Sequence, residues 1–278
     1  MMNSRYHQPL VPSWYASPQP VWKDESIFPT KLIPLADMTV RQRVRLGYGG
    51  RAPRLLLSNA YGHESVHIDA ISCALAADSA EIDPKQRGTI TVAGSRSIVL
   101  PPGATVLTDP VDLVVNTGDV LSVSMYFAQA PTINSFHWEG RSTAYLLPGQ
   151  QVDAICPKAT ATTTVRLFLA SVLVEAPSRG TIVAFGDSIT DGAGASLDAD
   201  TRWPDFLADR AAPLGLAVIN AGISAAQLLR DGMGANALAR LDREVLAQPG
   251  ARALVFKLVL TISAFQAPLY EGRLITIV

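Results

Sequence analysis

The residues with the plainest chemical potential are Gly186-Asp187-Ser188-Ile189-Thr190-Asp191-Gly192. They follow a short apolar-leaning run, 181–185, that reads as a buried strand broken by Gly186 and Asp187. A serine at the carboxyl end of such a strand has an exposed hydroxyl beside free backbone N–H groups. Acyl transfer needs both, a nucleophile and donors for the oxyanion that it creates. The pattern is not a G-x-S-x-G elbow, because Thr190 stands where the second glycine is required. The bland alternative is a glycine-rich loop whose serine caps a helix. A second cluster, Asn220-Ala221-Gly222-Ile223-Ser224-Ala225, ends the next apolar run. A serine nucleophile also needs a base within about 2.6–3.2 Å. All four histidines, His7, His63, His67 and His137, precede Ser188. The ordinary reading of each is a surface or hydrogen-bonded histidine.

The elements that position these clusters fall into two regimes. Residues 1–36 carry prolines at 9, 12, 18, 20, 29 and 34 and read as an irregular arm. Trp14, Tyr15 and Trp22 are expected to pin it to a domain surface; an aromatic sugar platform is the sharper reading. Residues 37–176 read as β throughout. Candidate strands are 54–58, 66–74, 88–92, 97–100, 111–115, 120–127, 143–147 and 164–174, separated by Gly, Pro and Asn-Thr-Gly-Asp turn signals. Val40, Val44 and Leu46 alternate with Arg41, Arg43 and Arg45. Many short strands between such turns predict an all-β sandwich.

After a polar linker, Ala176-Pro177-Ser178-Arg179-Gly180, the pattern becomes β-α-β-α-β over 177–256. Strand 181–185 is followed by a helix at 203–212, with Pro204 near its start, then strand 217–220. A helix at 236–246 places Leu238, Leu241 and Val245 on one face and stops at Gln248-Pro249-Gly250. A third strand begins at Ala253. Such alternation predicts a parallel sheet with right-handed crossovers, and chemistry in such sheets sits at the strands' carboxyl ends.

Together, 186–192 and 218–225 resemble the first two motif blocks of the SGNH, or GDSL, hydrolases. The β half, through Thr39-Val40-Arg41-Gln42, Leu57-Ser58-Asn59-Ala60-Tyr61-Gly62 and Ser122-Val123-Ser124-Met125-Tyr126, resembles the sandwich domain of one bacterial branch of that family. The resemblance covers about residues 10–256. It implies a two-domain chain: an N-terminal β-sandwich, then an incomplete α/β/α, flavodoxin-like hydrolase domain. It implies a serine esterase acting on acyl or carbohydrate esters, without metal or cofactor. Ser188 is then the nucleophile and, through its own N–H, an oxyanion donor. Ala225 is the second donor, at a position that is glycine in the family; donation there requires a negative φ. Asp187 and Gly222 shape the site.

Two family blocks are absent as written: G-x-N-D, whose Asn is an oxyanion donor, and D-x-x-H, which brings the base. No histidine follows Ser188, so the resemblance implies negligible turnover. One codon choice for residues 258–267, CTG GTG TTA ACG ATA TCG GCA TTC CAG GCG, becomes GGT GTT AAC GAT ATC GGC ATT CCA GGC when read two bases later. That encodes Gly-Val-Asn-Asp-Ile-Gly-Ile-Pro-Gly where G-x-N-D is due. A frameshift near codons 256–258 is therefore expected, with 257–278 an out-of-frame tail.

Composition narrows the alternatives. At 278 residues, 48% hydrophobic and 17% charged, the chain can build a sizeable core. A net charge of −1 points to no nucleic-acid partner. The longest apolar run, 253–265, is too short and too polar to span a bilayer, and the first residues lack a signal-peptide core. Cys73 and Cys156 have no metal-ligand spacing and read as two buried thiols, with one disulfide an option for an exported protein. The competing function is a non-catalytic carbohydrate-binding sandwich carrying a hydrolase remnant, marked by an exposed aromatic row among Trp14, Tyr15, Trp22 and Trp138.

Overall fold

The computed structural model describes residues 8–22 and 35–258. His7 and almost all of the tail expected to be out of frame lie outside the described residues. The chain is mostly β. One antiparallel sheet runs in the order Leu10–Tyr15, Leu169–Glu175, Gly50–Ser58, Val114–Val115, with Thr105–Leu107 also paired to Gly50–Ser58. A second runs Ala161–Thr163, Ala144–Pro148, Met38–Arg45, Val120–Phe127, Ala70–Ala76, Ile82–Thr89. Their inward residues form one apolar cluster, joining Val11, Leu57 and Val172 of the first sheet to Val40, Val123 and Met125 of the second. Strand periodicity explains this: one face is buried at every second residue.

Two expectations are corrected here. The arm is not irregular over 10–15; it is an edge strand paired with Leu169–Glu175. Pro12 is tolerated because the register shifts between Pro12 and Trp14, and an edge strand can lack a ladder donor. Trp14 and Tyr15 are accordingly buried within the fold, not pinned to its surface. Arg41, next to core Val40 on its strand, is itself fully buried. Its guanidinium donates to Oγ of Ser124 and to the carbonyls of Ala80, Gln151 and Val152. Burial pushes its pKa down to about 10. The thiols also differ from expectation: Cys73 is buried, Cys156 is exposed, and both are free.

A small sheet of Arg166–Leu167, Ser135–His137 and Gln19–Pro20 sits between this β-rich part and the remainder. The remainder holds a three-stranded parallel sheet with Gly180–Gly186 in the centre, flanked by Leu216–Gly222 and Ala251–Lys257. The helix Trp203–Ala211 connects the first pair and Ala237–Leu241 precedes the third strand. The second helical stretch continues as a wider, π-type turn over Asp242–Leu246, closed by Ala247 N–H on the Asp242 carbonyl at 2.8 Å.

Ala251–Lys257 is the sheet's edge among the described residues, and its centre is poorly covered: Leu254 and Val255 remain 37% and 38% exposed. An apolar edge strand is a template for pairing with another chain. Val255→Lys is expected to lower concentration-dependent self-association, followed by sedimentation velocity, while leaving the melting temperature nearly unchanged. An association constant unaffected by the lysine would show that this edge is not the sticking surface.

Candidate active site

Gly180–Gly186 pairs residue by residue with Leu216–Gly222, so that Gly186 lies opposite Gly222. The two loops carrying the sequence clusters therefore leave the sheet side by side, at the carboxyl ends. Asp187 caps the one-turn helix Ser188–Asp191 by accepting the Ile189 N–H at 3.0 Å. Its own N–H donates to the Lys257 carbonyl at 3.2 Å. All three parallel strands thus meet at the turn before Ser188. Ser188 is half-buried, and Ile189 beside it is exposed. The Ser188 carbonyl accepts the N–H groups of Gly192 and Ala193.

The two loops are stitched together. Asn220 donates to the Thr190 carbonyl at 2.7 Å and accepts the Gly222 N–H at 2.9 Å. The Ile223 N–H donates to the Gly186 carbonyl at 3.1 Å. Asp191 Oδ2 accepts both the N–H and the hydroxyl of Ser224, at 2.6 and 2.8 Å. Gly222 is needed for this approach, because a Cβ there would collide with the backbone of Asp191. This is the site-shaping role expected of Gly222, reached by a close contact.

Ala225 departs from expectation. Its φ is +56°, in the left-handed region, whereas donation was argued for a negative φ. The residue is exposed, and the turn holds a side chain where glycine would be unstrained. The strain follows from Ser224 being tied to Asp191 and the Ala226 N–H to the Ile223 carbonyl, which fixes the turn between them.

Sequence reasoning missed two features that hold the site. The first is Arg240, fully buried beneath both loops. It donates to the Ala221 carbonyl at 2.7 Å and the Gly186 carbonyl at 2.9 Å, lies 4.0 Å above the Phe185 ring, and pairs with Glu244 at 2.6 Å. Glu244 also accepts from Ser17 Oγ at 2.7 Å and from Arg243 at 2.7 Å. The inward stripe of this helical stretch is Ala237, Arg240, Glu244 and Val245. Leu238, expected inside with Leu241 and Val245, is 61% exposed. Val245 and Leu241 do face the core, but the other inward positions are filled by the i,i+4 pair Arg240 and Glu244; that spacing was the available signal.

The second is His137. It is buried, with Nδ1 3.0 Å from the Ser17 carbonyl and Nε2 3.1 Å from Asp191 Oδ1. The reading of His137 as a hydrogen-bonded histidine holds, but its partner belongs to the serine motif. Glu139 nearby is also buried. That burial raises its carboxyl pKa; Arg141 opposes the shift and Asp191 adds to it. His63 and His67 are exposed in the β-rich part. Trp22 and Trp138 pack edge-to-face, both half-buried, and Trp22 donates to the Met233 carbonyl at 2.7 Å. With Trp14 and Tyr15 buried, the exposed aromatic row that marked the binding-module alternative is not formed.

Residues 182–264 match the family model for GDSL-like lipases/acylhydrolases. This stretch is a GDSL-type hydrolase segment. The match includes Ser188, Gly222 and Ala225 and runs past Lys257, where the out-of-frame tail was expected to begin. No curated protein matches the chain. Among solved structures, it is similar to a family two carbohydrate esterase from Clostridium thermocellum in complex with cellohexaose. The identity is 12% and the TM-score 0.26, over 92% of this chain and 62% of that one. A family two carbohydrate esterase from Cellvibrio japonicus gives 12% and 0.20, over 83% and 55%. The chain thus spans less than two thirds of those proteins, and scores this low carry neither fold nor substrate to it. Among the described residues, no helix is long and apolar enough to cross a membrane.

Arg240 anchors the GDSL segment's two loops, so its loss is expected to be costly. Arg240→Met should destabilise by about 3 kcal/mol, because it leaves buried Glu244 with only Arg243 and Ser17 as partners and the Ala221 carbonyl without its guanidinium donor. The double variant Arg240→Met/Glu244→Leu should recover a large part of that. Urea denaturation of the three proteins checks both statements; a loss below about 1 kcal/mol would remove Arg240 from this role.

Proposed function

We propose that Ser188 is the nucleophile of a GDSL-type serine ester hydrolase acting on acyl esters of small-molecule or carbohydrate alcohols. The carrying observation is the place of Asp187-Ser188. It lies at the carboxyl end of the central parallel strand, inside the family match, with Ser224 and Gly222 held against it. The Ser188 N–H is the first oxyanion donor in this reading. The Ala225 N–H is the second only after the turn relaxes from its left-handed φ. The order of the three parallel strands, first strand central, supports reading 177–256 as an incomplete flavodoxin-like α/β/α domain behind the β-sandwich of 37–176.

Chemistry also requires a base, and His137 is not one for Ser188. Its ring nitrogens both face other partners, Ser17 and Asp191. A serine without its histidine is a weak nucleophile. In a comparable triad enzyme, loss of one key member costs about 10⁶ in kcat, and loss of a side-chain oxyanion donor about 10²–10³. In this reading the chain as given is a positioned but idle hydrolase, with the frame change as the cause.

Two measurements test the two parts. Hydrolysis of p-nitrophenyl acetate by the chain should equal that of Ser188→Ala; robust turnover that vanishes in Ser188→Ala would end the idle reading. The coding DNA from codon 256 onward should yield Gly-Val-Asn-Asp and then D-x-x-H in a neighbouring frame. A gene corrected to that frame should gain Ser188-dependent turnover. Absence of Gly-Val-Asn-Asp from every frame would end the frameshift proposal.

A further inference from the structure

Both ring nitrogens of His137 face hydrogen-bond acceptors. Nδ1 meets the Ser17 carbonyl at 3.0 Å and Nε2 meets Asp191 Oδ1 at 3.1 Å. A backbone carbonyl only accepts, so Nδ1 carries a proton. A neutral imidazole has one N–H. With that N–H on Ser17, Nε2 would be an acceptor opposite a carboxylate, and two acceptors repel. One additional proton resolves the conflict, on Nε2 or on Asp191. Asp191 Oδ2 already accepts two bonds from Ser224, at 2.6 and 2.8 Å, and bonds of this kind favour a charged carboxylate. The proton therefore belongs on the ring.

We propose that His137 is a positioning residue: as an imidazolium, it ties the Ser188–Asp191 turn and the Ser224 loop to the β-rich part of the chain, through one bound proton. Ser17 links this tie to the Arg240–Glu244 pair, because its carbonyl accepts from His137 while its hydroxyl donates to Glu244. The charged groups around the ring are Asp191; Glu139, two residues along the chain and paired with Arg141 at 2.8 Å; and Arg202, which lines the same small cavity. The word "positioning" rests on Ser188 being the nucleophile; the bound proton does not.

Thermal melts should place His137→Gln several degrees below wild type. Nitrogen-15 ring spectra of wild type should show one histidine with both nitrogens protonated, missing in His137→Gln and converted to a single N–H in Asp191→Asn. Ser188→Ala should leave the melts and the spectra unchanged, so failure of the nucleophile reading does not touch this test. Coincident melts of wild type and His137→Gln, or a His137 ring with a single N–H, overturn the proposal. If His137→Gln does not fold, the ring spectra of wild type and Asp191→Asn decide it alone.

Discussion

A fully buried guanidinium sets the geometry of this site. Arg240 touches carbonyls at the ends of two adjacent parallel strands, at Gly186 and at Ala221, the residue before the last. Strand ends are where backbone groups run out of ladder partners, and buried carbonyls without partners are costly. Arg240 supplies donors to both at once, and its planar fork fixes the distance between them. Glu244 balances the charge, and Phe185 covers the face of the cation. A break in this set would release both loops, because each leaves its strand within a residue or two of the bonded carbonyl.

The N-terminal arm is the second half of that constraint. Leu10–Tyr15 closes one antiparallel sheet, and the residues just after it reach across to the parallel sheet's loops. Ser17 serves the Arg240 pair with its hydroxyl and His137 with its carbonyl. Gln19 donates to the Met233 carbonyl at 3.0 Å and accepts the Trp138 N–H at 2.8 Å. The two regimes seen in the sequence are therefore not independent in space. Residues 17, 19 and 22, together with 137, make the β-rich part a structural support for the serine loops.

The opposite edge of the parallel sheet has no comparable support among the described residues. Ala251–Lys257 contributes one carbonyl, that of Lys257, to the turn before Ser188, and leaves Leu254 and Val255 partly in solvent. The site is thus held firmly on the side of Leu216–Gly222 and thinly on the side of Ala251–Lys257.

Local patterns, by themselves, determined much of this. Strand 120–127 came out with the expected limits, the helix expected over 203–212 starts at Trp203 beside Pro204, and the Gly-Asp-Ser turn follows its strand as the alternation of patterns required. These features depend on near neighbours in the chain, where periodicity and turn residues act directly. The tertiary structure decided the rest. Arg41, Arg240 and Glu244 are charged residues in the interior, and composition reads such residues as surface until their partners are known. Pro12 reads as a strand breaker until the edge position and register shift appear. His137 lies more than fifty residues from Asp191 in the chain, and only the fold brings its ring to the carboxylate. The Gly-Asp-Ser turn is legible in the sequence. How that turn is held is decided by contacts between distant residues, because such contacts leave no periodic trace along the chain.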